Sequence, residues 1–479
     1  MRPWPGWGLR GLWTAVGVCT TVGFVLQIWG GPFHRRSSSP RGGPPGPWGA
    51  PGPQCSPRDH LVFLKTHKTG SSSVLSLLHR YGDRRNLTFA LPARYQFGYP
   101  RPFQASRVKG YDPQARPPQR YHILCHHMRF NLPEVLRLMP ADSFFFSIVR
   151  DPASLAASAF SYYRSVSSAF RAAPSLQAFL AAPRRFYRPG GRGDHYARNL
   201  LWFDFGLPLP GPEAPAEPRR AARPPGPPRD AGASRPSPGP SPDGPGPRPP
   251  AAPSAGARPT GRPGPDPDPV VGGDGPPPSS PSSLPARFVR RALEWVDATF
   301  DLVLVAEHFD ESLVLLAAAL CWELEDVVGF VHNARATGGG RGHGVGERHP
   351  LTAVRARAWN DLDWALYLHA NRSLWARAER FGLGRLASGV AELRARRAAL
   401  AGRCLLGGGA VEPGRIADRG LRPFQFGTAG ILGYAVRGGL APRDREACLQ
   451  LARPELQYKD WLDAKQFGRR TAEGGGGVR

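Results

Sequence analysis

The sequence predicts an α/β fold whose sheet is mainly parallel and resembles that of P-loop proteins. Short apolar segments alternate with segments of helical periodicity, which is typical of such folds. The segment 143–149 is apolar on both faces, as expected of a central strand in a parallel sheet. Strands are predicted at 60–64, 121–126, 143–149 and 301–305, and helices at 72–81, 153–163, 311–320, 351–381 and 386–400.

Each predicted element follows from its own residues, taken in chain order. The first strand is an apolar run that leads through a polar turn into the first helix. The second strand alternates, so that His126 and His127 at its end point to opposite faces. The third strand ends just before Pro152, which is well placed to open the next helix. The fourth strand leads in the same way into the helix at 311–320.

A proline-rich segment, 207–286, divides the predicted domain into two parts. Between residues 208 and 285 lie 28 of the 55 prolines and no Phe, Tyr or Trp. Such a segment cannot bury enough apolar surface to offset its chain entropy, so we expect a disordered insert. The resulting boundaries are a stem at 34–57, a first globular part at 58–206, a second part at 287–470 and a disordered tail at 471–479.

The N-terminal segment 11–33 has no charged residue and is mostly apolar. A helix of about 20 such residues crosses a bilayer, so we expect a transmembrane signal-anchor behind a cytoplasmic tail at 1–10. A cleaved signal peptide is the alternative, but the segment does not end in the small residues of a cleavage site. The sequons at Asn86 and Asn371 predict N-glycosylation, which would make this a type II membrane protein with a luminal globular part.

The chain is strongly basic, with 63 Lys and Arg against 37 Asp and Glu and a net charge of +26. All but five of the basic residues are arginine, an excess that GC-rich coding also produces, so charge alone assigns no function. It is compatible with nucleic acid, a membrane surface, or a phosphate- or sulfate-bearing small molecule. The six cysteines match no zinc pattern. Cys404 and Cys448 are candidates for a disulfide, and the other pairings stay open.

The turn after the first strand has the composition of an anion-binding loop. It reads Lys-Thr-His-Lys-Thr-Gly-Ser-Ser-Ser from Lys65 to Ser73. Free backbone N–H groups at a helix start, together with the helix dipole, suit a phosphate, and Lys68 can reach its charge. A Ser-capped helix start is the alternative, but it needs neither lysine. The leading glycine of a Walker A motif is missing, which argues against a nucleoside-triphosphate loop.

Two further positions are expected at the same edge of the sheet. Arg150 follows the most apolar strand, where an arginine can bind a phosphate through two hydrogen bonds or pair with Asp151. Either His126 or His127 can face the crevice while the other packs, and a histidine there is a candidate general base. A metal site built on this strand is disfavoured because its side chains diverge.

Together, these segments resemble the membrane-bound carbohydrate sulfotransferases, which use 3′-phosphoadenosine 5′-phosphosulfate (PAPS) as sulfate donor. The resemblance lies in the loop 65–73, in 126–130, and in the pair Arg150 and Ser158. It implies the PAPS-dependent sulfotransferase fold, interrupted by the proline-rich insert. Longer stretches resemble the galactose 3-O-sulfotransferases in particular, including the subgroup that acts on Galβ1-3GalNAc-type O-glycans, and lie at 63–69, 125–130, 195–204, 300–307 and 309–313.

The resemblance implies a role for each matched residue. Arg150 and Ser158 would hold the 3′-phosphate of the donor. His127 would accept the proton of the galactose 3-hydroxyl, with His67 as the alternative base, and Lys68 would neutralise the leaving phosphate oxygen. The implied donor-loop residues are Lys65, Thr66, Lys68, Thr69, Gly70, Ser71, Ser72 and Ser73, and the implied sugar-site residues, for which helix packing is equally open, are His195, Arg198 and Asn199.

The implied acceptors are galactose-terminated glycans of glycoproteins, and the implied location is the Golgi membrane. Neither a metal nor nucleic acid is expected. Two other functions compete. A P-loop kinase would need Mg²⁺ ligands and a Walker loop, neither of which the sequence offers. A membrane-tethered protein that binds polyanions through its arginines would need no catalysis and would be indifferent to the loss of Lys68.

Overall fold

The computed structural model describes residues 55–209, 286–332, 350–426 and 430–468. The predicted cytoplasmic tail and anchor, most of the stem, the proline-rich insert from 210 to 285 and the C-terminal tail from 471 lie outside these ranges. No helix within them is both long enough and apolar enough to cross a membrane.

In the described ranges the sheet has five parallel strands: β1 (Leu61–Leu64), β2 (Phe89–Ala90), β3 (Ile123–Leu124), β4 (Phe144–Val149) and β5 (Leu302–Val305). Their order is β2-β3-β1-β4-β5, which places β1 at the centre. Every residue of β1 and β4 is buried. Burial on both faces explains why these strands are continuous apolar runs. The predicted α/β fold with a parallel sheet is confirmed.

Helices connect and flank the strands. Those that shape the site are the helix after β1, the helix after β4 and the last helix of the described chain. In chain order the helices are α1 (Ser71–Arg84), α2 (Leu132–Leu136), α3 (Pro152–Tyr163), α4 (Ser168–Ala172), α5 (Leu176–Ala181), α6 (Pro183–Phe186), α7 (Leu200–Asp204), α8 (Ala286–Thr299), α9 (Phe309–Leu320), α10 (Leu324–Val327), α11 (Pro350–Trp359), α12 (Asp361–Phe381), α13 (Leu383–Cys404), α14 (Pro442–Ala452) and α15 (Glu455–Phe467).

Two predicted elements differ from the structure. The strand predicted at 121–126 is reduced to β3, because the flanking backbone bonds elsewhere: the N–H of Tyr121 donates to Leu138 O, 3.1 Å away. The helix predicted at 351–381 is two helices, because Asn360 (φ −108°, ψ 54°) interrupts it between α11 and α12. The two-residue strand β2 was not predicted, since it is too short to carry a pattern.

The parts of the chain before and after the insert pair directly within the sheet. Phe146 of β4 lies level with Leu302 of β5. The buried side chain of Trp202 contacts both flanks of the insert: its Nε1 donates to the carbonyl of Pro208 at 2.7 Å, and its ring lies 6.2 Å from that of Phe288. The insert therefore leaves and re-enters the domain beside one side chain.

The described part of the chain contains two disulfides. Cys404 and Cys448 are bonded, as the sequence suggested, and Cys55 is bonded to Cys321 across 266 residues of sequence. Cys125 is buried and has no disulfide partner.

Candidate active site

The loop between β1 and α1 has a backbone shape that opens the start of the helix. Lys68 (φ 61°) and Gly70 (φ 81°) both adopt left-handed conformations, and α1 begins directly afterwards at Ser71. Gly70 is suited to this conformation because it has no side chain to clash. No side chain caps the N-terminus of α1. The Ser73 N–H donates to the carbonyl of Gly70 at 3.0 Å. The positive end of the helix dipole nevertheless points out of this loop, which favours an anion there.

Several hydroxyl groups hold the loop in this shape. Thr66 Oγ1 donates to the carbonyl of Ile148 at 2.6 Å, which ties the loop to β4. Ser71 Oγ donates to the carbonyl of Thr66 at 2.6 Å. Ser73 Oγ accepts the N–H of His332 at 2.9 Å. The loop hydroxyls therefore contribute to its conformation, while its backbone and lysines present charge.

A cavity of about 1020 Å³, here called the loop cavity, lies over this loop. Arg150 and Ser158 line it from the end of β4 and from α3, as the sequence predicted for one crevice. Arg150 donates to the carbonyl of Lys68 at 3.0 Å, while Asp151 pairs with Arg357. The loop residues that line the cavity are Lys65, Lys68, Thr69, Gly70, Ser71, Ser72 and Ser73, whereas Thr66 and His67 do not.

Two imidazole rings stack at the side of the loop cavity. The centroids of His67 and His127 are 4.0 Å apart and the rings are nearly parallel. His127 Nδ1 lies 2.9 Å from the carbonyl oxygen of Lys65 and must donate to it, so its Nε2 accepts from the Lys65 ammonium at 2.7 Å. Burial, with His67 and Lys65 nearby, lowers the pKa of His127 well below its usual value. His127 is accordingly a neutral imidazole.

His67 forms a pair with a buried carboxylate that the sequence did not single out as functional. Asp204, at the end of α7, is completely buried. One of its oxygens accepts the backbone N–H of His67 at 2.7 Å, and both lie 2.9 Å from His67 Nδ1. Tyr99 donates its hydroxyl to the same carboxylate at 2.9 Å. With Nδ1–H directed at Asp204, the lone pair of a neutral His67 is on Nε2.

A second buried carboxylate reaches the loop from the C-terminal part of the chain. Glu455 begins α15, and its Oε2 lies 2.7 Å from Ser72 Oγ and 3.3 Å from Lys65 Nζ. Burial acts to raise the pKa of Glu455, but Lys65 and Ser72 outweigh it and the pKa is lowered. Burial lowers the pKa of Lys65, and Glu455 partly offsets that effect. Glu455 was missed because 383 residues separate it from Ser72 in the sequence.

A second cavity of about 430 Å³, here called the aromatic cavity, adjoins the loop cavity. His67 and His127 both line it, and His127 also lines the loop cavity. The lining shared by both cavities comprises Tyr95, His127, Tyr162, Tyr163 and Ile431. The remaining lining of the aromatic cavity includes Gln96, Tyr196, Phe424, Phe426, Glu455 and Gln457.

The three predicted sugar-site residues line neither of these cavities. Asn199 donates its backbone N–H to the side chain of Asn360 at 2.8 Å, at the break between α11 and α12. The guanidinium of Arg198 lies 4.7 Å from the ring of Trp359. His195 stacks on Phe203, with ring centroids 4.9 Å apart. The structure thus gives all three packing contacts.

His126 lies on the other side of the sheet edge from His127. Its Nε2 is 3.3 Å from Nε2 of His79 on α1, and burial lowers the pKa of His126 to about 3. The nitrogen and sulfur atoms of His79, Cys125 and His126 that could bind a metal ion lie within 4.8 Å of one another. His126 is therefore a packed residue away from both cavities.

The two predicted glycosylation sites differ in exposure. Asn86 is exposed just after α1, in a left-handed backbone conformation. Asn371 is half-buried in the middle of α12, and its Oδ1 is buried. Asn86 has the surface position that glycosylation requires.

Comparison with known proteins identifies relatives along nearly the whole chain. The family model described as galactose-3-O-sulfotransferase matches residues 11–216 and 272–466. The human galactose-3-O-sulfotransferase 4 is 60% identical over 96% of this chain and 94% of its own length. The human galactose-3-O-sulfotransferase 2 is 41% identical over 86% of this chain and 84% of its own.

A human galactosylceramide sulfotransferase is also similar, with 35% identity over 85% of this chain and 78% of its own. No solved structure matches. The loop, the adjoining histidines and the extent of these similarities agree, and the chain belongs to the galactose-3-O-sulfotransferase family and is a sulfotransferase.

Proposed function

We propose that the enzyme transfers the sulfuryl group of PAPS to the 3-hydroxyl of a β-linked galactose on O-linked, Galβ1-3GalNAc-type glycans of glycoproteins. We further propose that it does so in the Golgi lumen as a type II membrane protein. The observation that carries the proposal is the junction of the two cavities. A basic loop at the start of α1 lies on one side, and the two stacked imidazoles of His67 and His127 lie on the other.

The loop cavity has the groups that the donor requires. The N–H groups at the start of α1, with Lys68, would hold the 5′-phosphosulfate. Arg150 and Ser158 lie in the same cavity and would hold the 3′-phosphate, which distinguishes PAPS from nucleotides without that group. Bidentate recognition of phosphate favours arginine at such a position.

The reaction we propose is an in-line displacement at sulfur. The galactose oxygen forms a bond to sulfur, the bond from sulfur to the 5′-phosphate oxygen breaks, and the hydroxyl proton passes to an imidazole. Charge grows on the leaving oxygen, where Lys68 would stabilise it. As in phosphoryl transfer, most of the catalysis would come from positioning and charge stabilisation.

Either of the stacked histidines is a candidate for the proton acceptor. The resemblance pointed to His127, but its Nε2 already accepts a hydrogen bond from Lys65 at 2.7 Å. No hydrogen bond found among the described residues uses Nε2 of His67, and its Nδ1 is held by Asp204. We therefore propose His67 as the base and His127 as the residue that positions Lys65.

The test is transfer of labelled sulfate from PAPS to β-galactosides, including Galβ1-3GalNAc and lactosamine, with a 3-O-blocked galactoside as control. We expect label on galactose and none on the blocked sugar. Lys68→Ala should lower kcat roughly 10²- to 10³-fold, the usual effect of removing one transition-state donor. Lys109→Ala, a surface lysine paired with Asp463, should leave kcat unchanged.

Two results would contradict the proposal. If Lys68→Ala is as active as Lys109→Ala, Lys68 takes no part in catalysis. Failure of the enzyme to bind 3′-phosphoadenosine 5′-phosphate, together with salt-sensitive binding of heparin-like polyanions, would favour the polyanion-binding alternative.

A further inference from the structure

The aromatic cavity adjoins the loop cavity, so a molecule bound in one can contact a molecule bound in the other. It contains His67 and His127, and it shares a wall with the loop cavity. A group bound near these histidines therefore lies next to the loop where the sulfuryl group would be held. Its volume, about 430 Å³, lies within the usual range for small-molecule sites.

The lining of this cavity has the chemistry of a sugar site. Pyranose rings have apolar faces that pack on aromatic side chains and hydroxyl edges that need polar partners. Phe426 lies 4.9 Å from Tyr162, and Phe424 lies 6.5 Å from Phe426, measured between ring centroids. Aromatic rings provide large contact areas of this kind.

Phe424 is more exposed than a large apolar side chain needs to be in a folded domain. It is 59% exposed although it borders a cavity, and Tyr95, which borders the same cavity, is 42% exposed. Exposed aromatic residues grouped around a concave surface indicate a binding site rather than a packing defect.

The backbone that carries these phenylalanines is braced. Gln425 accepts the N–H of Ile431 at 2.8 Å through its Oε1 and donates through its Nε2 to the carbonyl of Ile431 at 3.0 Å. This pair of bonds ties the chain between Phe424 and Phe426, here called the aromatic rim, to Ile431, which lines the same cavity. A restrained segment loses less entropy when a ligand binds.

A polar group is available beside the rim. Gln457 on α15 donates through its Nε2 to the carbonyl of Arg422 at 2.7 Å, which fixes the orientation of its amide. The Oε1 atom of Gln457 is buried and has no hydrogen-bond partner among the described residues. A buried acceptor without a partner is costly, so a small shift that lets a sugar hydroxyl donate to it is favourable.

We propose that the aromatic cavity binds a disaccharide acceptor, with the terminal galactose beside the two histidines. The second sugar would then pack against Phe424 and Phe426 and donate a hydroxyl to Gln457. This assignment rests on the proposed function and specifies its acceptor site. It places specificity for the second sugar in Phe424, Phe426 and Gln457 and not in His195, Arg198 or Asn199.

The experiment compares two acceptors with the full-length enzyme, namely Galβ1-3GalNAc and methyl β-galactoside. Phe424→Ala should raise the KM for the disaccharide roughly tenfold, as expected for loss of an aromatic contact. The KM for the methyl galactoside, the kcat and the affinity for 3′-phosphoadenosine 5′-phosphate should stay within twofold, roughly the change expected at a site without contact. Phe424→Tyr should restore the disaccharide KM.

Leu406→Ala is the matched control, because Leu406 is 61% exposed and lines neither cavity. If Phe424→Ala and Gln457→Ala both give the same disaccharide KM as Leu406→Ala, the cavity assignment is wrong. If the unaltered enzyme transfers sulfate to neither acceptor although it binds the nucleotide, the proposed galactose acceptor itself is wrong. The two failures are thus distinguishable.

Discussion

Asp204 fixes the orientation of His67 through contacts with both its backbone and its side chain. It accepts the backbone N–H at 2.7 Å and faces Nδ1 at 2.9 Å, so the imidazole cannot turn without losing a charge-assisted hydrogen bond. Tyr99 donates to the same carboxylate and holds it in place. The arrangement leaves the basic nitrogen of His67 on the side away from Asp204.

We expect Asp204→Asn to lower kcat roughly 10²- to 10⁴-fold, because an amide can favour the wrong imidazole tautomer while it keeps the shape of the site. Donor affinity and the KM for the acceptor should change little, which separates loss of orientation from loss of structure. The measurement is steady-state kinetics together with nucleotide binding. Tyr99→Phe, which removes one support of the carboxylate, is the milder control. A kcat for Asp204→Asn equal to that of wild type would contradict the role of Asp204.

At the residue scale, the sequence predicted what is local in the chain. The loop from Lys65 to Ser73 could be predicted because its residues are consecutive. Asp204 and Glu455 could not be assigned in this way, because they reach the loop only after folding brings distant segments together. Their residue types are common at helix ends, so nothing in the sequence distinguishes a carboxylate that orients a histidine from one that caps a helix.

At the element scale, His332 links the first turn of α1 to α14. It is the last described residue before the gap at 333–349. His332 donates its N–H to Ser73 Oγ at 2.9 Å, and its Nε2 lies 3.0 Å from the carbonyl of Leu451. Burial lowers the pKa of His332 to about 4; nearby Arg80 also lowers it, while Leu451 O and Glu455 oppose the shift. The folded protein therefore keeps His332 neutral at pH values where the unfolded chain is protonated.

This difference predicts acid destabilisation. Because the folded pKa is below the unfolded value, the contribution of His332 is complete above about pH 6.5 and is lost as the pH falls towards 4. The free energy of unfolding should fall by up to about 1.4 kcal/mol per pH unit for this residue. His332→Gln should have a shallower pH dependence in denaturant titrations from pH 7 to 4, roughly the range between the two pKa values. An unchanged slope for His332→Gln would contradict the prediction.

Helix bounds were predicted well where a strand or a proline marks the start. Helix α3 begins at Pro152, one residue before the predicted start, because proline suits the first turn. The break at Asn360 was not predicted; at this break the side chain of Asn360 accepts the N–H of Asn199, which is 161 residues away. Interruptions of this kind depend on tertiary contacts that a periodic pattern does not contain.

At the scale of the whole molecule, direct contacts join the parts of the catalytic domain that precede and follow the insert. Strands β4 and β5 pair directly, and Trp202 contacts both flanking segments. The fold class could be predicted because it depends on strand–helix units, several before the insert and one, β5 with α9, after it. The aromatic cavity could not, because its walls come from segments around residues 95, 162, 196, 424 and 457.

We expect that replacing residues 210–285 by about ten Gly and Ser residues, a length that spans closely spaced ends, will preserve both folding and turnover. The physical reason is that both flanks already meet at Trp202. Thermal unfolding and kcat of the shortened protein are the measurements. In the same background Trp202→Ala should destabilise the fold by about 3–5 kcal/mol, the usual cost of such a truncation. A shortened protein that folds but has lost its activity would show that the insert takes part in catalysis.

The disulfide between Cys55 and Cys321 has a consequence for proteolytic processing. Any peptide bond cleaved between these two residues leaves both fragments covalently joined. Where the cut lies within the insert, between residues 210 and 285, the fragments would also stay together through the pairing of β4 with β5, and each would carry part of both cavities. A nicked enzyme would thus run as one band without reductant and as two with it. We expect an enzyme cleaved once within the insert to keep its turnover, which steady-state kinetics before and after limited proteolysis would measure.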